Sequence, residues 1–115
     1  MERLSRGGIY LARLDPAKGA EVGKLRPVAV LSAEEVLEVD SPLLFMCPLS
    51  SRSDPIFDAL HVTLPLRDGL KVKSYALVEH CRAISRSRLL SQRIAQLTEQ
   101  ELAIILHRLQ RLVGL

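Results

Sequence analysis

The sequence predicts a mainly β (α+β) fold, a curled antiparallel sheet closing into a small barrel, with one amphipathic helix near the C-terminal end. Three observations point there. Five short apolar runs rich in β-branched or aromatic residues recur between residues 9 and 78, clusters of Gly, Pro, Asp and Ser separate them, and the hydrophobic period turns helical only after Thr98. No helical segment is long enough to make a parallel crossover between each pair of runs, so the strands are expected to run antiparallel.

The first run is Ile9-Tyr10-Leu11-Ala12-Arg13-Leu14, ended by the turn signals Asp15-Pro16, Gly19 and Gly23. Val28-Ala29-Val30-Leu31 is the second, and Ala33-Glu34-Glu35-Val36-Leu37 follows it as a single helical turn. Ser41-Pro42 leads into Leu43-Leu44-Phe45-Met46-Cys47, and the polar stretch Ser50 to Asp54 with Pro55 separates that strand from His61-Val62-Thr63-Leu64. Asp68-Gly69 then precedes Tyr75-Ala76-Leu77-Val78. Thr98 and Glu101 have the spacing of a capping box, in which hydroxyl and carboxylate satisfy each other's orphan backbone amides. The helix they open carries Leu102, Ile105, Leu106, Leu109, Leu112 and Val113 as an apolar stripe, and its polar face, with Glu101, Arg108 and Arg111, lacks a strong cationic bias. The stripe is therefore expected to pack on the sheet rather than on a membrane.

A chain of 115 residues with 48% apolar and 25% charged residues has the balance of one domain spanning 1–115. No apolar run approaches the ~18 residues a membrane span needs, and Met1-Glu2-Arg3-Leu4-Ser5-Arg6 has no secretory apolar region, so a cytoplasmic protein with no membrane partner is expected. Cys47 and Cys81 stand in or beside apolar stretches without metal-ligand spacing, which reads as reduced, buried thiols; a redox pair is the minority alternative. Net charge is +3, but residues 1–66 carry seven Lys/Arg against nine Asp/Glu and residues 67–115 carry nine against four. That basic second part suits a polyanionic partner, although a solvated face has the same composition.

Phosphate-binding glycine loops, His-Glu-x-x-His, Cys-x-x-Cys and the nucleophile elbow are all missing, so no cofactor or metal is expected. The three histidines do not assign a two-histidine mechanism: His107 falls on the helix surface, His61 is expected to point outward from its strand, and His80 stands in the polar cluster Glu79-His80-Cys81-Arg82. Arg26 precedes Pro27, which biases it to an extended conformation and holds its fork where strand meets loop, a good place to meet phosphate. On residue type alone a surface salt bridge to Glu21 or another carboxylate is the favoured reading of Arg26, just as Ser50 and Ser51 read first as turn formers.

Resemblance shifts that balance. Arg6-Gly7-Gly8-Ile9-Tyr10-Leu11, Leu14-Asp15-Pro16, Gly19, Glu21, Gly23 and Arg26-Pro27-Val28 together resemble the N-terminal signature of the MazF/PemK ribonuclease toxins. Cys47-Pro48-Leu49-Ser50-Ser51 is similar to that family's Pro-Leu-Thr-Ser segment, and Leu77-Val78-Glu79-His80-Cys81-Arg82-Ala83-Ile84 with Ser87-Arg88-Leu89 resembles its Asp-Gln-Ile-Arg-Thr-Ile region. The three pieces, in order and at the right separations, cover nearly the whole chain. The resemblance implies SH3-like sheet topology, a homodimer with single-stranded RNA across its groove, and inhibition by a cognate antitoxin protein. The family's catalytic arginine and threonine map onto Arg26 and Ser50. Glu79 is a catalytic candidate as base or positioner, or else the structural partner of Arg82. Glu21, Lys24, Ser51, Arg52, His80 and Arg82 are the expected RNA contacts. Serine replaces threonine at 50, keeping the hydroxyl, and His80-Cys81 replaces Gln-Ile, altering a wall near the site.

The implied chemistry is metal-independent. RNA carries its own nucleophile, so the protein need only align the 2′-hydroxyl with the adjacent phosphorus and stabilise the charge gathering there. Aromatic residues make up only 3% of the chain, so base reading would rest on polar and backbone contacts from the loops at 15–25 and 50–58. Two other readings stand: a CcdB-like gyrase poison, against which count the lack of tryptophan and the ending Val113-Gly114-Leu115 in place of Trp-Gly-Ile, and a catalytically inactive RNA-binding relative.

Overall fold

The computed structural model describes residues 3–15, 18–20 and 23–115. Strands β1 (Gly8–Arg13), β2 (Leu25–Val30), β3 (Leu43–Ser50), β4 (His61–Leu64), β5 (Ser74–Leu77), β6 (Arg82–Ser85) and β7 (Ala95–Gln96) alternate with short turns, and the two helices are α1 (Glu34–Glu38) and α2 (Glu99–Leu112). All pairs are antiparallel in the order β4-β5-β3-β2-β1-β7, with β6 on β3. β3 makes the sheet curl: its first half pairs with β6 and its last two residues, Leu49 and Ser50, pair with β5.

Period-2 alternation sends the side chains of the central strands to two separate cores. Ile9, Ala29, Cys47 and Leu49 face a core closed by Ile105 of α2, whereas Tyr10, Val28, Val30, Leu44 and Met46 face one closed by Leu4, Leu37 and Ile84. Because both faces are buried, these strands read as continuous apolar runs, which is why they were visible in the sequence. β6 and β7 were not: the first has one buried apolar residue, Ile84, and the second is two residues long. β2 also begins earlier than Val28. Pro27 is tolerated because β3 pairs with β2 only from Val28 onward, so no ladder donor is lost there.

α2 is pinned at both ends. Thr98 Oγ1 accepts from Glu101 N (3.1 Å), the Glu101 carboxylate accepts from Thr98 N (2.9 Å), and the same carboxylate takes a bidentate pair from Arg67 on the β4–β5 connection. One turn before its end, Arg108 Nη1 donates to Asp58 O (3.1 Å) and to His61 O. Ile105 is fully buried, Leu102 and Leu109 pack against the same core, and Leu112 and Val113 remain exposed. The helix therefore docks on the sheet as expected, while its last apolar residues do not.

His61 departs from expectation. It is 8% exposed, not outward, because the Phe57 ring (5.6 Å between centroids), Arg108 and Ser53 close over the end of β4. His107 lies on the helix surface as expected. Both cysteines are free, Cys47 buried and Cys81 half-buried. Hydrogen bonding to the neighbouring Cys81 thiol, with burial, holds the Cys47 thiol well above the ordinary thiol range and so keeps it protonated. Among the described residues no helix is long and apolar enough to cross a membrane.

Candidate functional site

The β2–β3 register decides which side chains meet. Val30 pairs with Met46 and Val28 with Pro48; the ladder ends there, and beyond it Arg26 reaches the end of β3 through its Nη1, which donates to Leu49 O (3.3 Å), the residue before Ser50. Here the start of β2 and the end of β3 form one wall of an open cavity of about 670 Å³. Arg26 comes from β2 and Lys24 is the residue before that strand; Ser50 ends β3, and Ser51 and Arg52 follow it. The segment Gly69 to Val72, which carries Lys71, and Ser74 also line the cavity, and of these the sequence marks only the Asp68-Gly69 turn. Gly69 is needed for its close approach to Ile94, since a Cβ there would lie 2.7 Å from the carbonyl oxygen of Ile94, which also accepts the Gly69 N–H at 2.7 Å.

Arg26 is held by backbone. Its Nε donates to Gly23 O (2.9 Å) and its Nη1 to Leu49 O (3.3 Å), and no carboxylate of the described residues pairs with it. Carbonyls orient the fork without neutralising it, so the charge remains available to an anion. Ser50 Oγ accepts from Arg52 N (3.1 Å), which fixes the hydroxyl and leaves its proton to donate. Lys24 adopts a left-handed φ of 67°, its N–H bound to Asp15 Oδ1 (2.7 Å) and its carbonyl to Leu14 N (2.9 Å). A non-glycine residue held there costs on the order of 1 kcal/mol, and the turn so maintained delivers Lys24 to the cavity mouth. Four cationic side chains and no acidic one line the cavity among the described residues. The arrangement is built for a polyanion.

The third cluster from the sequence lies elsewhere. Glu79 does not line the cavity; it stands on the 3₁₀ turn Val78–His80, and both its oxygens receive His61 Nε2 (2.8 and 2.9 Å). His80, on the same turn, and Arg82, whose Nη2 donates to Leu14 O (3.5 Å), are not among the lining residues either. Glu21 lies outside the described residues. The structure thus brings Arg26, Ser50, Ser51, Arg52 and Lys24 together and sets Glu79, His80 and Arg82 apart from them.

Comparison with known proteins gives a consistent result. Residues 5–113 match the family of PemK-like, MazF-like toxins of type II toxin-antitoxin systems. The chain is similar to the endoribonuclease MazF of Staphylococcus saprophyticus subsp. saprophyticus, at 26% identity over 100 residues, 86% of this chain and 82% of that one. Its fold matches crystalline MazF from Deinococcus radiodurans with TM-score 0.86, 30% identity and full coverage of both chains. It also matches MazF in a MazE-MazF crystal from the same organism, with TM-score 0.77, 29% identity and coverage of 100% and 99%.

Proposed function

The chain belongs to the PemK-like, MazF-like toxin family of type II toxin-antitoxin systems, and from that premise we propose that it is an endoribonuclease that cuts single-stranded RNA, without a metal, in the cavity shared by Arg26 and Ser50. The observation that carries this is the Arg26 guanidinium, fixed by two backbone carbonyls, unpaired with any described carboxylate, and lining the same cation-rich cavity as Ser50.

Attack of the RNA 2′-hydroxyl on the adjacent phosphorus gathers negative charge on the phosphoryl oxygens. Arg26 lies where that charge forms, and preoriented donors act strongly because they need no reorganisation as the charge develops. Ser50 adds a hydroxyl donor to the same oxygens. Lys24, Arg52 and Lys71 hold the flanking phosphates, and Ser51 lies where the chain leaves the pair. The products are a 2′,3′-cyclic phosphate and a 5′-hydroxyl. Glu79 receives no part in this step, since His61 occupies its carboxylate and it does not line the cavity. The same cationic cavity, on a homodimer in the cytoplasm, accepts the extended acidic tail of a cognate antitoxin in place of RNA, with selectivity among RNA sequences coming from the loops around it. The Deinococcus relative crystallised with MazE supports a protein partner of that kind.

The test is purified protein on long single-stranded RNA, alone and with the small protein encoded beside it. Cleavage at a limited set of sites, suppressed by the partner, is expected. Intact RNA together with inhibition of gyrase supercoiling would establish the gyrase-poison reading instead.

A further inference from the structure

The polar stretch after β3 serves two cavities. Ser50, Ser51 and Arg52 face the first, while Ser53 turns into a second cavity of about 390 Å³, shared with His61, Tyr75, Ile104 and Arg108. Ser53 Oγ lies 2.7 Å from His61 Nδ1, and His61 Nε2 lies 2.8 and 2.9 Å from the two oxygens of Glu79. Three side chains distant in sequence form one hydrogen-bonded line, with the imidazole in the middle almost fully buried.

The partners dictate the tautomer. A carboxylate only accepts, so neutral His61 must carry its proton on Nε2, which leaves the Nδ1 lone pair facing Ser53 and makes the serine hydroxyl the donor. Nucleophile, base and orienting carboxylate then stand within hydrogen-bond reach in sequence, the arrangement that activates a hydroxyl. The ring is turned relative to the usual serine-hydrolase triad, with Nδ1 rather than Nε2 toward the serine. Arg108, whose Nη1 is anchored on Asp58 O and His61 O, places a positive charge in the wall of the same cavity, which Asp58 also lines, and Val62 and Ile104 supply an apolar surface.

We propose that Ser53 is an activated nucleophile, a covalent site in this second cavity that takes an acyl group from a small ester. Ser53 Oγ bonds to the ester carbonyl carbon as its proton passes to His61 Nδ1, and Glu79 holds the resulting imidazolium. The tetrahedral oxyanion faces the Arg108 side of the cavity. Collapse breaks the bond to the leaving alkoxide, which takes the proton back from Nδ1, so that serine and ester become acyl-serine and free alcohol. A volume of about 390 Å³ admits a compact acyl group. The site is distinct from the Arg26 cavity: the two share no lining residue, and Arg52 of the first adjoins Ser53 of the second along the chain.

The experiment uses a fluorophosphonate probe and p-nitrophenyl butyrate on the intact protein, with the adduct located by peptide mass spectrometry. Ser53 should be labelled faster than every other serine, the butyrate should give a burst of one nitrophenolate per chain, and both should disappear in Ser53→Ala. Glu79→Gln is the decisive variant because it is nearly isosteric: its carboxamide can donate to Nε2, stabilise the tautomer with the proton on Nδ1, and remove the acceptor from Ser53. Labelling should fall by at least about tenfold while the thermal midpoint stays close to that of the parent. Arg26→Ala should label normally, which separates this site from RNA cleavage. Labelling of Ser53 no faster than that of the unfolded chain in urea, or undiminished labelling in Glu79→Gln, would overturn the proposal and reduce the line of three to a structural clamp between β4 and the Val78–His80 turn.

Discussion

Replacing Arg26 by lysine preserves the charge and removes the fork, so it separates electrostatic attraction from geometry. In the native cavity Nε and Nη1 are spent on Gly23 O at 2.9 Å and Leu49 O at 3.3 Å, which leaves the remaining edge of the guanidinium for a phosphoryl oxygen. An ammonium cannot grip two carbonyls at these positions and still present a directed donor. Losing one preoriented donor on a developing oxyanion slows catalysis by about 10²–10³, or roughly 3–4 kcal/mol of barrier. The cost in folding is smaller, about 1 kcal/mol, because the lost bonds are partly exposed and carbonyls there can turn to water. The assay is single-turnover cleavage of 5′-labelled single-stranded RNA at saturating protein, run beside urea unfolding of the same preparation. A rate within about threefold of the parent, equivalent to under 1 kcal/mol, would refute the role given to the fork.

Ser50→Ala should slow the same reaction by a smaller factor than Arg26→Lys, and Ser51→Ala by less again; the reverse order at 50 and 51 would shift the pair by one residue. Ile105→Ala empties a fully buried position under α2 and should cost about 2–5 kcal/mol in urea unfolding, whereas a loss under about 1 kcal/mol would mean that the helix is not integral to that core. The Arg67 pair holds the Glu101 carboxyl below its ordinary value, so it adds stability above the unfolded-state pKa of about 4.3 and loses it as pH falls through the lower, folded value. Thermal melts between neutral and acid pH should show that loss, and Glu101→Gln should flatten it; an unchanged acid slope in the variant would assign the dependence to other carboxylates.

Sequence and structure agree where burial dictates pattern. β1, the apolar parts of β2 and β3, β4, β5 and α2 each bury enough apolar surface to imprint a run or a stripe, and the capping box at Thr98 and Glu101 is local chemistry readable from spacing alone. β6 and β7 are held by tertiary pairing with too few apolar residues to show a period. That Arg26 and Ser50 belong to one site was reached through resemblance; the physical cause of their sharing a cavity is that paired strands β2 and β3 bring their adjoining ends together, which no composition or periodicity displays. Lys71 and Ser74 were missed for the same reason: a turn signal marks where a chain reverses, not which cavity it then faces. His61 shows the converse failure. An alternation rule sends it outward, and only the arrival of Ser53, Glu79 and Arg108 from three other segments makes burial affordable.

The central claim, that the RNA supplies its own nucleophile to a phosphate held between Arg26 and Ser50, is tested most directly by one substitution in the substrate. A single 2′-deoxy nucleotide placed on the 5′ side of a mapped cleavage step, in otherwise unmodified RNA and in the presence of EDTA, should abolish cutting at that step alone. Neighbouring steps should still yield 2′,3′-cyclic phosphate and 5′-hydroxyl ends. Continued cutting at the deoxy step, or loss of all cutting in EDTA, would contradict the account.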